Sequence, residues 1–258
     1  MAKVLVAEKS VRDQVSEAEW RARVELAGAF RVAHQNGWND GINNHITIRV
    51  PDSPDHFLMN PHGMGWDEMT ASCLLKAHVS GHVLIGGELS PQPAGLNFHS
   101  AILASRRELN SSMHIHPMAG VVVSVMERDL MILDQRGCIL QGEVAYHDYE
   151  GYAREPGEGT RIVDDLGDKR TMIMRNHGLL SVGRTLGETF HFMGKLIGAC
   201  ELQERVLATG VKYKELTEDI IGVANRQTTV RYSNKPLGEL EWRMRFRRLE
   251  RQDPSFAS

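Results

Sequence analysis

The sequence predicts a mixed α/β fold in one domain, and three observations carry that expectation. Two capping boxes each open an apolar stripe at helical spacing: Ser16–Glu19 ahead of Trp20, Val24, Ala27 and Phe30, and Thr185–Glu188 ahead of Leu186, Phe190, Met193, Ile197 and Cys200. Between them lie short apolar runs with the alternation or the turn boundaries of strands. No linker, internal repeat or low-complexity segment divides the 258 residues, a length ample for a sizeable core. Residues 1–15 read as a flexible N-terminal arm and 16–258 as the domain, C-terminal helices included.

The first helix runs from its Ser16 cap to a stop at Asn36-Gly37. From Gly41 to Pro61 strands are expected: Ile46, Ile48 and Val50 alternate, a Pro-Asp-Ser-Pro-Asp turn follows, then Phe57-Leu58-Met59. Another strand is expected through His82–Ile85, before Gly86-Gly87, and a helix from about Leu96 to Arg107. Ser111-Ser112-Met113-His114-Ile115-His116 reads as a strand, and Pro117 can take the first position of the next helix. Gly142 to Tyr149 suits a short strand and loop, and the buried strand before His177 continues after Gly178 through Leu179-Leu180-Ser181-Val182. The C-terminal helix places Trp242, Phe246 and Leu249 on one face and is expected to pack across a subunit boundary. Its arginines (Arg243, Arg245, Arg247, Arg248 and Arg251) have the spacing of a solvated or subunit-facing amphipathic helix rather than of a nucleic-acid site.

A net charge of −3 gives no electrostatic reason for nucleic acid or an anionic membrane as partner. The three cysteines, Cys73, Cys138 and Cys200, are sparse and far apart, which suits a reducing compartment. The amino terminus mixes Lys3, Glu8, Lys9, Arg12 and Asp13 into its apolar residues and lacks the apolar core of a signal peptide. No run is long and apolar enough to span a bilayer. A cytoplasmic protein with a small-molecule substrate is expected.

The chemistry concentrates in histidines. In an extended strand His114 and His116 project to the same side, making half a transition-metal site. His177, just past the apolar run Met172-Ile173-Met174, is the candidate third ligand. Three imidazoles would leave a coordination position open, as catalytic metal sites do. Spacing alone leaves the bland alternative in place, because the chain has 12 histidines and a His-x-His pair is a weak motif without its context.

The context comes from a resemblance along roughly residues 20 to 210. Asn39-Asp40-Gly41-Ile42-Asn43-Asn44-His45-Ile46-Thr47, Met59-Asn60-Pro61-His62-Gly63-Met64, His114-Ile115-His116-Pro117-Met118-Ala119-Gly120 and Arg175-Asn176-His177-Gly178-Leu179 resemble, in order, motifs of the class II aldolase/adducin family. Ala94–Ser100 and Gly142–Tyr149 resemble its adducin branch in particular. The resemblance implies a three-layer α/β/α sandwich around a largely antiparallel sheet, usually assembled as a homotetrameric ring. It also implies a divalent metal, zinc first and manganese or iron next, on His114, His116 and His177.

One departure matters. The sugar-phosphate aldolases of the family carry Ser-Ser-Glu, two phosphate-binding hydroxyls and the general base, where this chain has Pro93, Ala94 and Gly95. Without that base, decarboxylation suits the site better than sugar-phosphate cleavage, since loss of carbon dioxide needs no base to begin. The expected function is a metal-dependent carbon–carbon lyase, decarboxylase or aldolase in type. Its substrate would be a small carboxylated or hydroxy-keto compound that reacts through a metal-stabilised enolate. A non-catalytic scaffold or interaction domain of the adducin kind is the alternative.

Further candidates carry two readings each. His99 would be a fourth ligand or proton shuttle, or a packed core histidine. His147 and Tyr149 would donate a proton, or mark a surface turn or subunit contact. His62, with Gly63, would contact an anionic substrate group, or simply form a turn. Asn39 and Asn43 would bind substrate oxygens, or cap their loop.

Overall fold

Alternation along two neighbouring strands divides the molecule into layers. In β1 (His45–Val50), Ile46, Ile48 and Val50 point to one face, and His45, Thr47 and Arg49 to the other. β5 (Ser111–Ile115) repeats the pattern: Met113 and Ile115 join the first set, Ser112 and His114 the second. The computed structural model, which describes residues 10–86, 89–152, 157–231 and 235–258, shows both strands at the centre of an eight-stranded sheet. The others are β2 (Ser53–Met59), β3 (Leu75–His78), β4 (Val83–Ile85), β6 (Val144–His147), β7 (Thr171–Met174) and β8 (Gly178–Gly183), in the order β4-β3-β2-β1-β5-β8-β7-β6. Every neighbouring pair is antiparallel except β6–β7.

Helices cover both faces. α2 (Glu17–Gln35), α4 (Met118–Ser124), α6 (Leu186–Thr209) and α8 (Glu239–Gln252) share one apolar cluster with Ile46, Ile48, Met113, Ile115, Ile173 and Leu179. α3 (Pro93–Ser105) and α5 (Glu158–Leu166) share the other with Phe57, Met59, Leu75, Met172, Leu180 and Val182. The result is the expected α/β fold with a largely antiparallel sheet between helical layers. Fully buried side chains such as Leu26, Phe30, Phe98 and Phe192 contribute about 1.5–3 kcal/mol each through the surface they remove from water.

Both caps form as their spacing predicts. Ser16 Oγ accepts the Glu19 N–H at 3.0 Å and Thr185 Oγ1 the Glu188 N–H at 3.1 Å. Glu19 does not complete its box. Its carboxylate is buried instead between Arg23 (3.0 Å) and Lys76 (2.6 Å), tying α2 to β3.

Three details differ from expectation. The turn after β1 is shorter, since Val50 already pairs with Ser53 and the ladder shifts register there. β3 was not expected: Leu75-Lys76-Ala77-His78 alternates in burial, but four residues are too short a run for the period to stand out. α3 starts at Pro93, whose ring fits the first helical position where no N–H is needed. α8 packs part of its aromatic face on its own chain. Trp242 stacks on Phe190 (ring centroids 4.7 Å apart) and donates its indole N–H to Glu25, while Leu249 is buried with α2 and α6.

At the other end, Ser10 caps a short helix, α1 (Val11–Gln14). Residues 1–9, with Lys3, Glu8 and Lys9 of the expected arm, lie outside the described residues. α7 (Glu218–Arg231) completes the helices. Among the described residues no helix is long and apolar enough to cross a membrane.

Candidate metal centre

Strand register builds the site. β1 and β5 pair so that His45 stands directly opposite His114, and the two rings stack with centroids 5.3 Å apart. β5 ends at Ile115, so His116 follows His114 to the same side, just beyond the sheet. The third histidine arrives on the β7–β8 turn. Asn176 takes the left-handed conformation there (φ 55°), which asparagine tolerates better than most residues. Two bonds brace the turn: the Arg175 N–H donates to His147 O (2.8 Å) and the Asn176 N–H to Ser124 O (3.2 Å). His177 is thereby delivered against the strand pair. Its ring centroid lies 4.7 Å from that of His114 and 4.8 Å from that of His116, and one nitrogen of each ring falls within 4.8 Å of the others.

Hydrogen bonds fix which nitrogens are bare. His114 Nδ1 is 3.1 Å from the carbonyl oxygen of Leu179, so it must be the protonated nitrogen, and His114 Nε2 carries a lone pair. His116 Nδ1 meets the Asp40 carboxylate at 3.2 Å, so in the neutral ring the lone pair is on His116 Nε2. These two Nε2 atoms face each other at 2.8 Å. With both rings neutral two lone pairs meet there, and a cation bound by both would remove their repulsion. Carbonyl and carboxylate partners behind ligating imidazoles are the usual supports of such a site. The donor set therefore fits a divalent transition metal.

Electrostatics keep the rings ready to bind. Burial, reinforced by the neighbouring imidazoles, holds His114 well below the ordinary histidine value and brings His177 down to about 4. Both are neutral near pH 7, the form that ligates metal.

The three histidines open into a cavity of about 610 Å³. Asn39, Asn43 and Tyr149 line it as the sequence suggests; the half-exposed Tyr149 ring stands 6.2 Å from His177. Asp40, His45 and Gln92 also line it, and none of these had been singled out. His45 lies at the start of β1, where the pairing with β5 is the signal that would have found it. No lysine or arginine is among the described lining residues.

Other candidates fall elsewhere. His62 and Gly63 sit in an exposed turn outside the lining, where the His62 N–H donates to Ser90 O at 2.9 Å. His147 is buried outside it too, with Nδ1 on Asp165 at 2.7 Å and Nε2 without a hydrogen-bond partner, 4.0 Å from Glu150.

His99 is placed behind His45, away from the metal face. It is fully buried, its Nε2 is 3.1 Å from His45 Nδ1, and its Nδ1 is 2.9 Å from Ser112 Oγ. With both ring nitrogens engaged it has no lone pair to offer a metal at the three-histidine cluster. His45 also explains Gly95. A Cβ at position 95 would stand 2.5 Å from His45 Cδ2, so the volume into which a side chain there would project is taken by an imidazole.

Known proteins share this fold and its sequence. The model of the Class II Aldolase and Adducin N-terminal domain matches residues 24–204. An aldolase II superfamily protein from Pseudomonas syringae has the same fold, with a TM-score of 0.90 and 36% identity over 97% of this chain and 100% of that one. The L-fuculose 1-phosphate aldolase of Glaciozyma antarctica PI12 superposes with a TM-score of 0.81 and 25% identity, covering 93% of this chain and 92% of that one. Alpha-adducin of Rattus norvegicus is 42% identical over 190 residues, 72% of this chain but only 26% of that protein. From the matched segments, the shared sheet and the histidine cluster together, the chain belongs to the class II aldolase and adducin N-terminal domain family.

Proposed function

We propose that this protein is a metal-dependent carbon–carbon lyase acting on a small carboxylated or hydroxy-keto compound, with one divalent ion on His114, His116 and His177. Zinc suits three neutral imidazoles best, and manganese or iron accept the same ligands. The observation that carries this function is the convergence of the three rings, with the Nε2 atoms of His114 and His116 2.8 Å apart and His177 beside them. When bound, the ion supplies a Lewis acid that takes up negative charge as it develops on the substrate.

The chain's own residues do the rest. Leu179 O and Asp40 hold two of the imidazoles in ligating orientation. Asn39 and Asn43 offer neutral amides to substrate oxygens. Tyr149 stands at the open side, where its phenol can return a proton to carbon after the bond has broken. His147, supported by Asp165, is the second candidate for that proton but lies outside the cavity.

Decarboxylation is favoured over sugar-phosphate cleavage. In that step the bond to the carboxylate carbon breaks, carbon dioxide departs, and the electron pair stays on the substrate until a proton replaces it. No base is needed, and the His45 ring leaves no room for one at position 95. A phosphate dianion would also find no cationic side chain among the described lining residues. Assembly as a homotetramer belongs to the same proposal.

The test is metal analysis of purified protein followed by a screen of carboxylated and hydroxy-keto compounds for release of carbon dioxide or aldehyde. Turnover of a keto or hydroxy acid supports the proposal. Fast cleavage of L-fuculose 1-phosphate, the substrate in the name of the Glaciozyma relative, contradicts it. The identity with alpha-adducin favours a second role, a non-catalytic interaction domain. Metal-free protein, silent throughout the screen, would support that role.

A further inference from the structure

Four buried or half-buried polar groups form a continuous chain beside the metal centre. Ser112 Oγ is 2.9 Å from His99 Nδ1, His99 Nε2 is 3.1 Å from His45 Nδ1, and His45 Nε2 is 2.6 Å from Gln92 Oε1. One proton arrangement satisfies every link. Ser112 donates to His99, His99 donates to His45, and His45 donates to the carbonyl oxygen of the Gln92 side chain. Gln92 thus spends its acceptor inward and keeps both amide N–H donors for the other direction. Its side chain makes no capping bond to α3, although the residue stands at that helix's N-cap, and it lines the metal cavity.

We propose that Gln92, oriented by the His45–His99–Ser112 chain, donates its side-chain amide to a substrate carboxylate that lies beside the metal but does not ligate it. The ligand class is an acid that chelates the ion through an oxygen pair and carries a further carboxylate on the same or the next carbon. A carboxamide suits a carboxylate that is to be lost. It fixes the group by hydrogen bonds, yet puts no positive charge beside it that would oppose the flow of its electrons toward the metal side. This inference rests on the metal-dependent function proposed above, and names the recognition element of that same site.

The test uses the intact protein loaded with cobalt(II), which reports binding in its visible spectrum, and two probes. Glycolate chelates through one hydroxyl and one carboxylate; tartronate forms the same chelate and adds a second carboxylate. Wild type should bind tartronate about tenfold more tightly than glycolate, the size expected of a hydrogen bond to a charged group. Gln92→Leu should abolish that preference while keeping cobalt stoichiometry and glycolate affinity, and Gln92→Glu should reverse it by like-charge repulsion.

An undiminished preference in Gln92→Leu, or none in wild type, overturns the proposal, and so does a preference retained by Gln92→Glu. Protein that takes up no cobalt at all is detected before either probe is added; it overturns the metal-dependent function and this inference with it.

Discussion

The ring of His116 lies against the backbone of Gly178: a Cβ built there would stand 2.6 Å from His116 Cδ2 and 2.7 Å from the carbonyl oxygen of Ile115. The first residue of β8 is therefore bound to the geometry of the metal centre, because only glycine lets the imidazole and the strand approach this closely. Gly178→Ala should displace His116 and weaken metal binding by at least tenfold. The overpacking should also cost stability on the order of 1–3 kcal/mol. Metal titration and thermal melts measure the two effects separately, and a variant with wild-type affinity would contradict the first.

Asp40 is expected to act on the metal through His116. Asp40→Asn removes the charge that holds the Nδ1 proton in place and should lower metal affinity about 10- to 100-fold while leaving the fold intact. Equal affinity in the variant would mean that the contact is only a surface hydrogen bond.

Acid should unfold the metal-free protein early. Burial holds His177 down to about 4 and His45 to about 3, and keeps His114 and His99 well below the ordinary value. In the unfolded chain all four titrate near pH 6.5. Between those limits the unfolded state binds more protons, so stability rises with pH. The contribution of the neutral rings is complete above about pH 6.5 and is lost as pH falls toward 4. Each proton contributes a slope of about 1.4 kcal/mol per pH unit. Melts of stripped protein from pH 8 to 4 should show this fall, and bound zinc should shift it to lower pH because metal and proton compete for the same nitrogens. A flat profile across that range would contradict the burial argument.

Restoring a carboxylate at position 95 should not create an aldolase. Gly95→Glu must first evict the His45 ring, which is stacked on His114 and bonded to His99 and Gln92. Loss of stability and of metal, without gain of sugar-phosphate cleavage, is the expected outcome in assays beside wild type.

Trp242→Ala should destabilise the protomer itself. The indole packs on Phe190 and bonds Glu25, so its removal should cost on the order of 3–5 kcal/mol, whatever the oligomeric state. An unchanged melting temperature with a smaller assembly in light scattering would instead favour a subunit-boundary role for the helix.

What the sequence disclosed, and what it withheld, follows from the range of the interactions. The capped helices α2 and α6 and the alternating strand β1 are local patterns and were legible as such. The same-side projection of His114 and His116 follows from one strand and needs no partner. His45 was invisible as a member of the site because only the β1–β5 register, set across 68 intervening positions, puts it opposite His114. Gln92 is hidden for the same reason: its role depends on where α3 begins and on which ring fills the space over Gly95. His99 stands close in sequence to the expected chemistry. Its placement behind His45, rather than on the metal face, is a matter of tertiary packing. The aromatic face of α8 was equally readable as apolar, but not which surface would cover it.

The central claim is that the opposed Nε2 atoms of His114 and His116, with His177, hold one divalent ion. Elemental analysis of purified protein, wild type beside His116→Ala, tests it most directly. The account predicts close to one equivalent of metal per chain in wild type and a near-total loss in the variant, with the fold retained by circular dichroism. Wild-type protein that stays empty when dialysed against zinc, or a folded variant that keeps its full equivalent, would contradict it.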